Sequence, residues 1–341
     1  MSFIIVFISS VIISIFVHTT QDEIINIESL VGVSGYPEPT PQIQNERNWT
    51  NISLHELFLL GDTQYDRLWN PVKIDFDRNN NLYLFDWGSY EIKKYAPDGS
   101  YLFSFGKGKG RGPGEFVNPT DFTVTNTGRV LVVDPPVGRV TVFENSGEII
   151  NTINITDPYL LRIASVNDSL FIIFKMDERL FSLYDISGIF HTSFGDLIPD
   201  QLVNGLALDG WVVGYDDKNI IYAFQRAGYF ASFSIDGQLN YFSRTIDDIP
   251  LPNMHIIDGG RRLDPRAKVT TRSISVYGEY LYLFDLNQSR LQDKGVVDVY
   301  NANTGEYEYS FSIPNNVSRA YIHDKYVYAI SDTLVVSWSM Q

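Results

Sequence analysis

The stretch "FSFGKGKGRGPGEFVNPTDF", Phe103 to Phe122, sets five glycines and three cationic side chains between Gly106 and Gly114. Glycine with positive charge suggests a phosphate loop. A Walker-type loop, however, needs GxxxxGK followed by Ser or Thr and then a helix, and here "FTVTNTGRVLVVD" follows with strand-like alternation instead. Glycine equally suits a chain that turns tightly between two strands. Asn118-Pro119 then imposes an extended approach to the next strand. The stretch therefore reads as a linker, and an anion nest around Lys107, Lys109 and Arg111 is the lesser alternative.

Working outward, the same grammar recurs. Six short apolar segments end at Asp86, Asp134, Phe174, Gln225, Asp285 and Ser331: "LYLFD", "LVVD", "LFIIF", "IYAFQ", "LYLFD" and "VYAIS". Each follows a weaker strand and a polar turn. Most precede a hairpin whose turn carries Gly99, Gly147, Gly188, Gly237 or Gly305, as turns needing positive φ require. Four antiparallel strands repeated at such intervals make a propeller blade. The last repeat, ending "TLVVSWSMQ", supplies only three strands, while "HELFLLGD" (His55 to Asp62) is a strand with no repeat of its own. Pairing the two would close the ring and remove its open edges. The expected fold is an all-β, six-bladed propeller over residues 51–341, its ring closed by an N-terminal strand.

The segment "GKGKGRGPGEFVNPTDFTVTNTGRVLVVDPPVGRVTVFENSGEII" resembles an NHL repeat, the unit of six-bladed propellers that include many exported bacterial proteins. The likeness rests on the G-x-G-x-F-x-x-P linker, the turn carrying Asp134 and Arg139, and the hairpin at Gly147. As a motif it covers Trp69 to Ile155, with Glu91 where the arginine would stand beside Asp86. The resemblance implies a binding scaffold. Some relatives of this kind are metal-dependent lactonases or amidating lyases, but their histidine and carboxylate constellations have no match here.

The remaining composition narrows the function. With 41 acidic against 26 basic residues the net charge is −15, which argues against nucleic acid or an anionic membrane surface as partner. No cysteine is present, which removes disulfides, thiolate metal sites and cysteine nucleophiles. The five histidines stand apart in sequence, and no catalytic residue, metal ligand or cofactor is assigned. Phe3 to Val17 is an apolar run of signal-peptide length, shorter than the roughly 20 residues of a spanning helix. Residues 1–20 are read as a signal peptide, with an uncleaved anchor as the alternative. Residues 21–50, carrying "YPEPTP", are read as an extended leader whose loss costs little stability. Asn48, Asn51, Asn154, Asn167, Asn287 and Asn316 each begin an N-x-Ser/Thr sequon, which matters only in a eukaryotic secretory route.

The first strands of the repeats open near Val72, Thr120, Arg162, Trp211, Arg272 and Arg319. Three arginines at one blade position would converge on one mouth of the channel. Arg261 and Arg262 lie on the insertion "LPNMHIIDGGRRLDPRAK", expected above that mouth. Arginine forks suit carboxylate, sulfate or phosphate, so Arg162, Arg272, Arg319, Arg261, Arg262 and Trp211 form a candidate site for an anionic ligand: a protein, a peptide end or an acidic glycan. The competing reading has such arginines pairing with aspartates to lock neighbouring blades. The function expected is an exported binding module, and the alternative is a metal-dependent lactonase- or lyase-like enzyme at the channel mouth.

Overall fold

The computed structural model describes residues 23–155, 160–175, 179–199, 207–258, 260–285, 294–314 and 316–341. The apolar run read as a signal peptide and the Asn287 sequon lie outside them. Six four-stranded antiparallel sheets follow one another along the chain. Sheet I holds Pro71–Phe76, Leu82–Asp86, Glu91–Tyr95 and Tyr101–Phe105; sheet II holds Asp121–Val124, Val130–Asp134, Arg139–Phe143 and Ile149–Asn154. Sheet III holds Leu160–Ser165, Leu170–Lys175, Phe181–Asp185 and Phe190–Phe194; sheet IV holds Gly210–Tyr215, Asn219–Phe224, Tyr229–Ser234 and Leu239–Arg244. Sheet V holds Ser273–Tyr277, Tyr280–Asp285, Lys294–Asn301 and Tyr307–Pro314. Sheet VI joins Arg319–His323, Tyr326–Ser331 and Leu334–Met340 to Leu54–Leu60, which pairs antiparallel with Leu334–Met340. A further three-stranded sheet combines Glu23–Ile25, Met254–Ile257 and Gly260–Leu263.

The uninterrupted apolar runs have a simple cause. A strand presents alternate residues to opposite faces, and each second strand is covered on both. Leu82 and Leu84 pack with Tyr321, Tyr328 and Val335 of sheet VI, whereas Tyr83 and Phe85 pack with Phe122, Val124 and Val132 of sheet II. Comparable clusters lie between II and III, III and IV, IV and V, and V and VI. The core is thus a set of seams between successive sheets.

The glycine-rich stretch is a linker gripped from both sides. Asp134 accepts hydrogen bonds from the N–H groups of Val117 and Asn118, at 2.8 and 3.0 Å. Asp86 does the same for Trp69 and Asn70 one sheet earlier. Arg139 donates to the carbonyls of Arg111, Gly112 and Glu115. The Glu115 carboxylate accepts from Gly112 N–H at 2.8 Å and lies where a Cβ on Gly110 would be. The acid and arginine of the repeat therefore fasten the loop.

Residues 23–50, read from their composition as an extended leader, are docked on the outer strands of the sheets. Thr40 bonds in both directions to Phe242 and Arg244 on the outer strand of sheet IV, and Asn48 and Thr50 bond to Ser310 on that of sheet V. Backbone groups left open at a sheet edge attract other chains, and this segment covers two such edges. Ile27 is fully buried in the seam between sheets III and IV. Arg47 is enclosed by Asp247 and Asp298.

Candidate functional site

The first strand of each sheet faces the centre, and hydrogen-bond register identifies which residues share a layer. Lys73, Asp121, Arg162, Gly210, Ser273 and Arg319 pair respectively with Phe85, Val133, Phe174, Phe224, Phe284 and Ile330, the same position on the neighbouring strand. Arg272 is one residue out of this register. Its N–H bonds to Phe284 O as that of Thr120 does to Val133 O and that of Ser318 to Ile330 O. A one-residue offset turns a side chain to the other face of a strand. Arg162 and Arg319 are therefore equivalent, and Arg272 is not.

Members of this layer bind the next sheet. Lys73 Nζ reaches Asp121 Oδ1 and Phe122 O, both at 2.8 Å, and Asp121 Oδ2 accepts Ile163 N–H at 3.0 Å. Arg162 donates to Gly210 O and Asp209, each at 3.3 Å. Gly210 has no side chain, and its neighbour Trp211 donates Nε1–H to Thr271 O at 2.9 Å. Ser273 Oγ donates to Ala320 O at 2.7 Å and accepts Ala320 N–H at 3.1 Å. Arg319 donates to Val72 O in sheet I. The sheets thus bond in succession, I to VI and VI back to I.

The arginines and Trp211 do meet. The Arg162 and Arg319 guanidinium carbons lie 4.5 and 5.3 Å from the Trp211 ring centroid, in cation–π contact. Trp211, on sheet IV, thereby touches sheets III and VI together, so its indole lies across the channel, and it is only 7% exposed. Arg272 Nε is buried without a hydrogen-bond partner among the described residues. The insertion lies elsewhere. Leu251, Met254 and Leu263 pack on the seam between sheets III and IV, and Arg262 is exposed on that hairpin. Arg261 is placed by its backbone alone, opposite Ile256.

The open space is at the other end of the channel. A cavity of about 270 Å³ is lined by the innermost strands of all six sheets and the turns after them. It runs from Lys73 and Asp75 to a rim that includes Asp77, Asn126, Asn167 and Asp217. A second layer of bonds fixes its wall: Asp75 accepts Val124 N–H at 2.8 Å, Thr123 accepts Ser165 N–H at 2.9 Å, and Ser275 accepts Ile322 N–H at 2.9 Å. Burial pushes the Asp75 carboxyl up against the pull of Lys73. At the rim, Asn126 and Asn167 both donate to Asp217, at 2.9 Å each. These rim residues are turn residues of ordinary composition, and only their common place at the end of each first strand could have singled them out.

His323 closes one side of this rim. It stacks on Phe76 at 4.2 Å, meets Tyr277 edge-on at 4.9 Å and contacts Asn80 Oδ1 at 2.9 Å. Burial holds its imidazole down to about 4, against the pull of Asp324 and Asp77. The neutral ring is therefore the folded form, and between pH of about 6.5 and 4 the unfolded chain takes up a proton that the folded chain refuses. Stability attributable to this group is complete above that window and is lost as pH falls through it. His323→Phe keeps the stack and removes the titration. Urea unfolding at pH 7 and 4.5 should show a loss smaller by up to about 2 kcal/mol in the variant, after discounting for the partly exposed ring. Equal losses in both proteins would remove His323 from the account.

Among the described residues, no three His, Asp or Glu side chains are grouped as a metal would require. No protein-family model matches the sequence, and no curated protein matches it. Solved structures do. A protein from Bacteroides fragilis described as exported superposes with a TM-score of 0.59 at 10% identity, covering 89% of this chain and 98% of its own. A virginiamycin B lyase from Staphylococcus aureus gives 0.53 at 10% identity, covering 85% and 99%. The β-propeller domain of Swd1 from Myceliophteria thermophila gives 0.51 at 11% identity, covering 85% and 100%. Likeness at such identities speaks to architecture alone, and the architecture is a β-propeller.

Proposed function

We propose that the six four-stranded sheets are the blades of a six-bladed, NHL-type propeller closed by Leu54–Leu60, and that the protein is an exported module binding a small polar ligand in the open end of its channel. The observation that carries this is the cavity of about 270 Å³, walled by all six first strands. The support for export is the signal-like run at Phe3 to Val17 and the likeness to a protein described as exported. The lining carries Asp75, Asp77, Asp216 and Asp217 against Lys73 and Arg78, which favours a neutral or cationic ligand over an anion.

A second reading, an anionic ligand at the arginine mouth, is favoured by Arg272, whose buried Nε has no partner among the described residues. One experiment separates the two. Amines, polyols and dicarboxylates are titrated calorimetrically into the parent, Asn126→Trp and Arg272→Gln proteins. Asn126 is an exposed rim residue, and its indole replacement should abolish binding of an amine or polyol while leaving the melting temperature intact. Binding confined to dicarboxylates, weakened by salt and lost in Arg272→Gln, would overturn the channel reading. So would binding of no compound at millimolar concentration.

A further inference from the structure

A second recess lies on the flank of the propeller between sheets IV and V, and its lining differs in kind from that of the channel. Its volume is about 570 Å³, and it is walled by Asn219, Ser232 and Asn240 of sheet IV, Gln238 in its last hairpin turn and Asn303 from the last turn of sheet V, with Tyr215 at the boundary it shares with the channel. Lys218 and Asp236 are its charged members, one of each sign. The lining is therefore dominated by amides and hydroxyls.

Three of the amides are held at one end. Asn240 spends both Nδ2 hydrogens inside the protein, on Asn219 Oδ1 at 3.0 Å and Ser232 Oγ at 3.1 Å, which leaves its Oδ1 as an acceptor. Asn219, having accepted that bond through Oδ1, presents its Nδ2 donors. Asn303 accepts the Tyr215 hydroxyl through Oδ1 at 2.8 Å and likewise presents Nδ2. Donors and acceptors fixed before a ligand arrives spare it the entropy of ordering them. Asn219, Ser232 and Asn240 belong to three adjacent strands, so the array rests on rigid elements. A mixed set of neutral donors and acceptors beside a tyrosine ring matches vicinal hydroxyl groups, each of which donates and accepts. With the local charges balanced, nothing in the lining selects an acid.

We infer that the recess walled by Asn219, Asn240, Asn303 and Tyr215 between sheets IV and V is a binding site for a neutral carbohydrate. It does not rest on the channel reading, because its amides are absent from the channel lining.

The test titrates the full chain with neutral glucan, galactan and mannan oligosaccharides and with matched uronate oligosaccharides. At least one neutral oligosaccharide is expected to bind with an affinity unchanged between low and high salt. Asn240→Ala and Asn303→Ala should each weaken it by about ten-fold, the worth of one or two hydrogen bonds. Asn303 lies on an exposed turn, so its variant remains informative if loss of Asn240 disturbs the sheet. Asn126→Trp should leave this binding unchanged, which separates the recess from the channel. Absence of binding by every neutral sugar at millimolar concentration overturns the inference, as does binding that survives both alanine substitutions or is lost in Asn126→Trp. A salt-sensitive preference for uronates overturns it too.

Discussion

A chain lacking residues 1–62 is expected to aggregate or to lose its cooperative unfolding transition. The deletion strips Leu54–Leu60 from sheet VI and leaves Leu334–Met340 as an open edge. Leu60 is buried in the seam with sheet I, and Phe58 packs against it; Ile52 and Leu54 pack against the seam with sheet V. Fully burying one such side chain is worth about 1.5–3 kcal/mol; Leu60 is fully buried and the other three are half-buried, so losing all four removes a sizeable share of a typical stability of about 5–15 kcal/mol. Exposed edge strands also invite pairing between chains. A deletion of residues 1–48 should behave differently. It keeps the strand and hence a soluble, cooperative fold, yet it melts well below the full chain because it removes Ile27, Arg47 and the Glu28 carboxylate. Glu28 accepts from Tyr229 OH and Leu251 N–H. Thermal unfolding and light scattering on the two truncations decide the matter. If they prove equally stable, Leu54–Leu60 does not hold the sixth sheet together.

The repeat was legible in the sequence because the second strands are buried on both faces. A strand such as "LYLFD" is then apolar throughout, and its terminal aspartate is retained to hold the incoming linker. The glycine-rich stretch was legible for the reason that a turning linker needs glycine and lacks the serine or threonine of a phosphate loop. Less of the candidate site was legible. Aligning "LLRIASV", "TTRSISV" and "VSRAYIH" on their arginines hides the fact that Arg272 precedes the strand position that Arg162 and Arg319 occupy. Only the ladder fixes that offset, and spacing in sequence does not carry it.

The docking of residues 23–50 was hidden for a different reason. Its attachment uses backbone groups and a few scattered side chains, Ile27, Glu28, Gln42 and Arg47, not an apolar period, so its composition resembles a linker. The open cavity was hidden because its rim is made of Asp, Asn and His in turns, residue types that any turn favours. Each becomes notable only when six first strands bring the turns to one circle. What the arginines contribute follows from the same geometry. Two of the three are bonded to the next sheet and stacked on Trp211, so positive charge gathered at one end of an acidic chain serves cohesion there before it serves any ligand.

Replacing Arg47 by alanine is expected to cost about 3–5 kcal/mol, the usual penalty for removing one partner of a buried ion pair. Its side chain is 12% exposed, and those of Asp247 and Asp298 are 17% and 8% exposed. The guanidinium donates to Asp298 through Nε and Nη2, each at 2.8 Å, and to Asp247 through Nη1 at 2.6 Å and through Nη2. Burial works against its charge, but the bonds to Asp298 and Asp247 outweigh burial and hold its pKa above the ordinary value. Arg47 thus ties residues 23–50 to both sheet IV, through the turn at Asp247, and sheet V, through Asp298. Its removal leaves two carboxylates facing each other out of water. Burial and the repulsion of Asp298 already push the Asp247 carboxyl up against the pull of Arg47, and without that pull the folded variant prefers it protonated. The penalty must accordingly shrink as pH falls towards the ordinary carboxylate range and be largest near pH 7, the reverse of a lost packing contact, which has no such dependence. Urea unfolding of the parent and Arg47→Ala at pH 7 and pH 4.5 measures this. Adding Asp247→Asn to the variant should recover part of the loss at pH 7, since an amide can bond to Asp298 without a second buried charge. A loss below about 1 kcal/mol, or one independent of pH, would mean that Arg47 does not hold residues 23–50 to sheets IV and V.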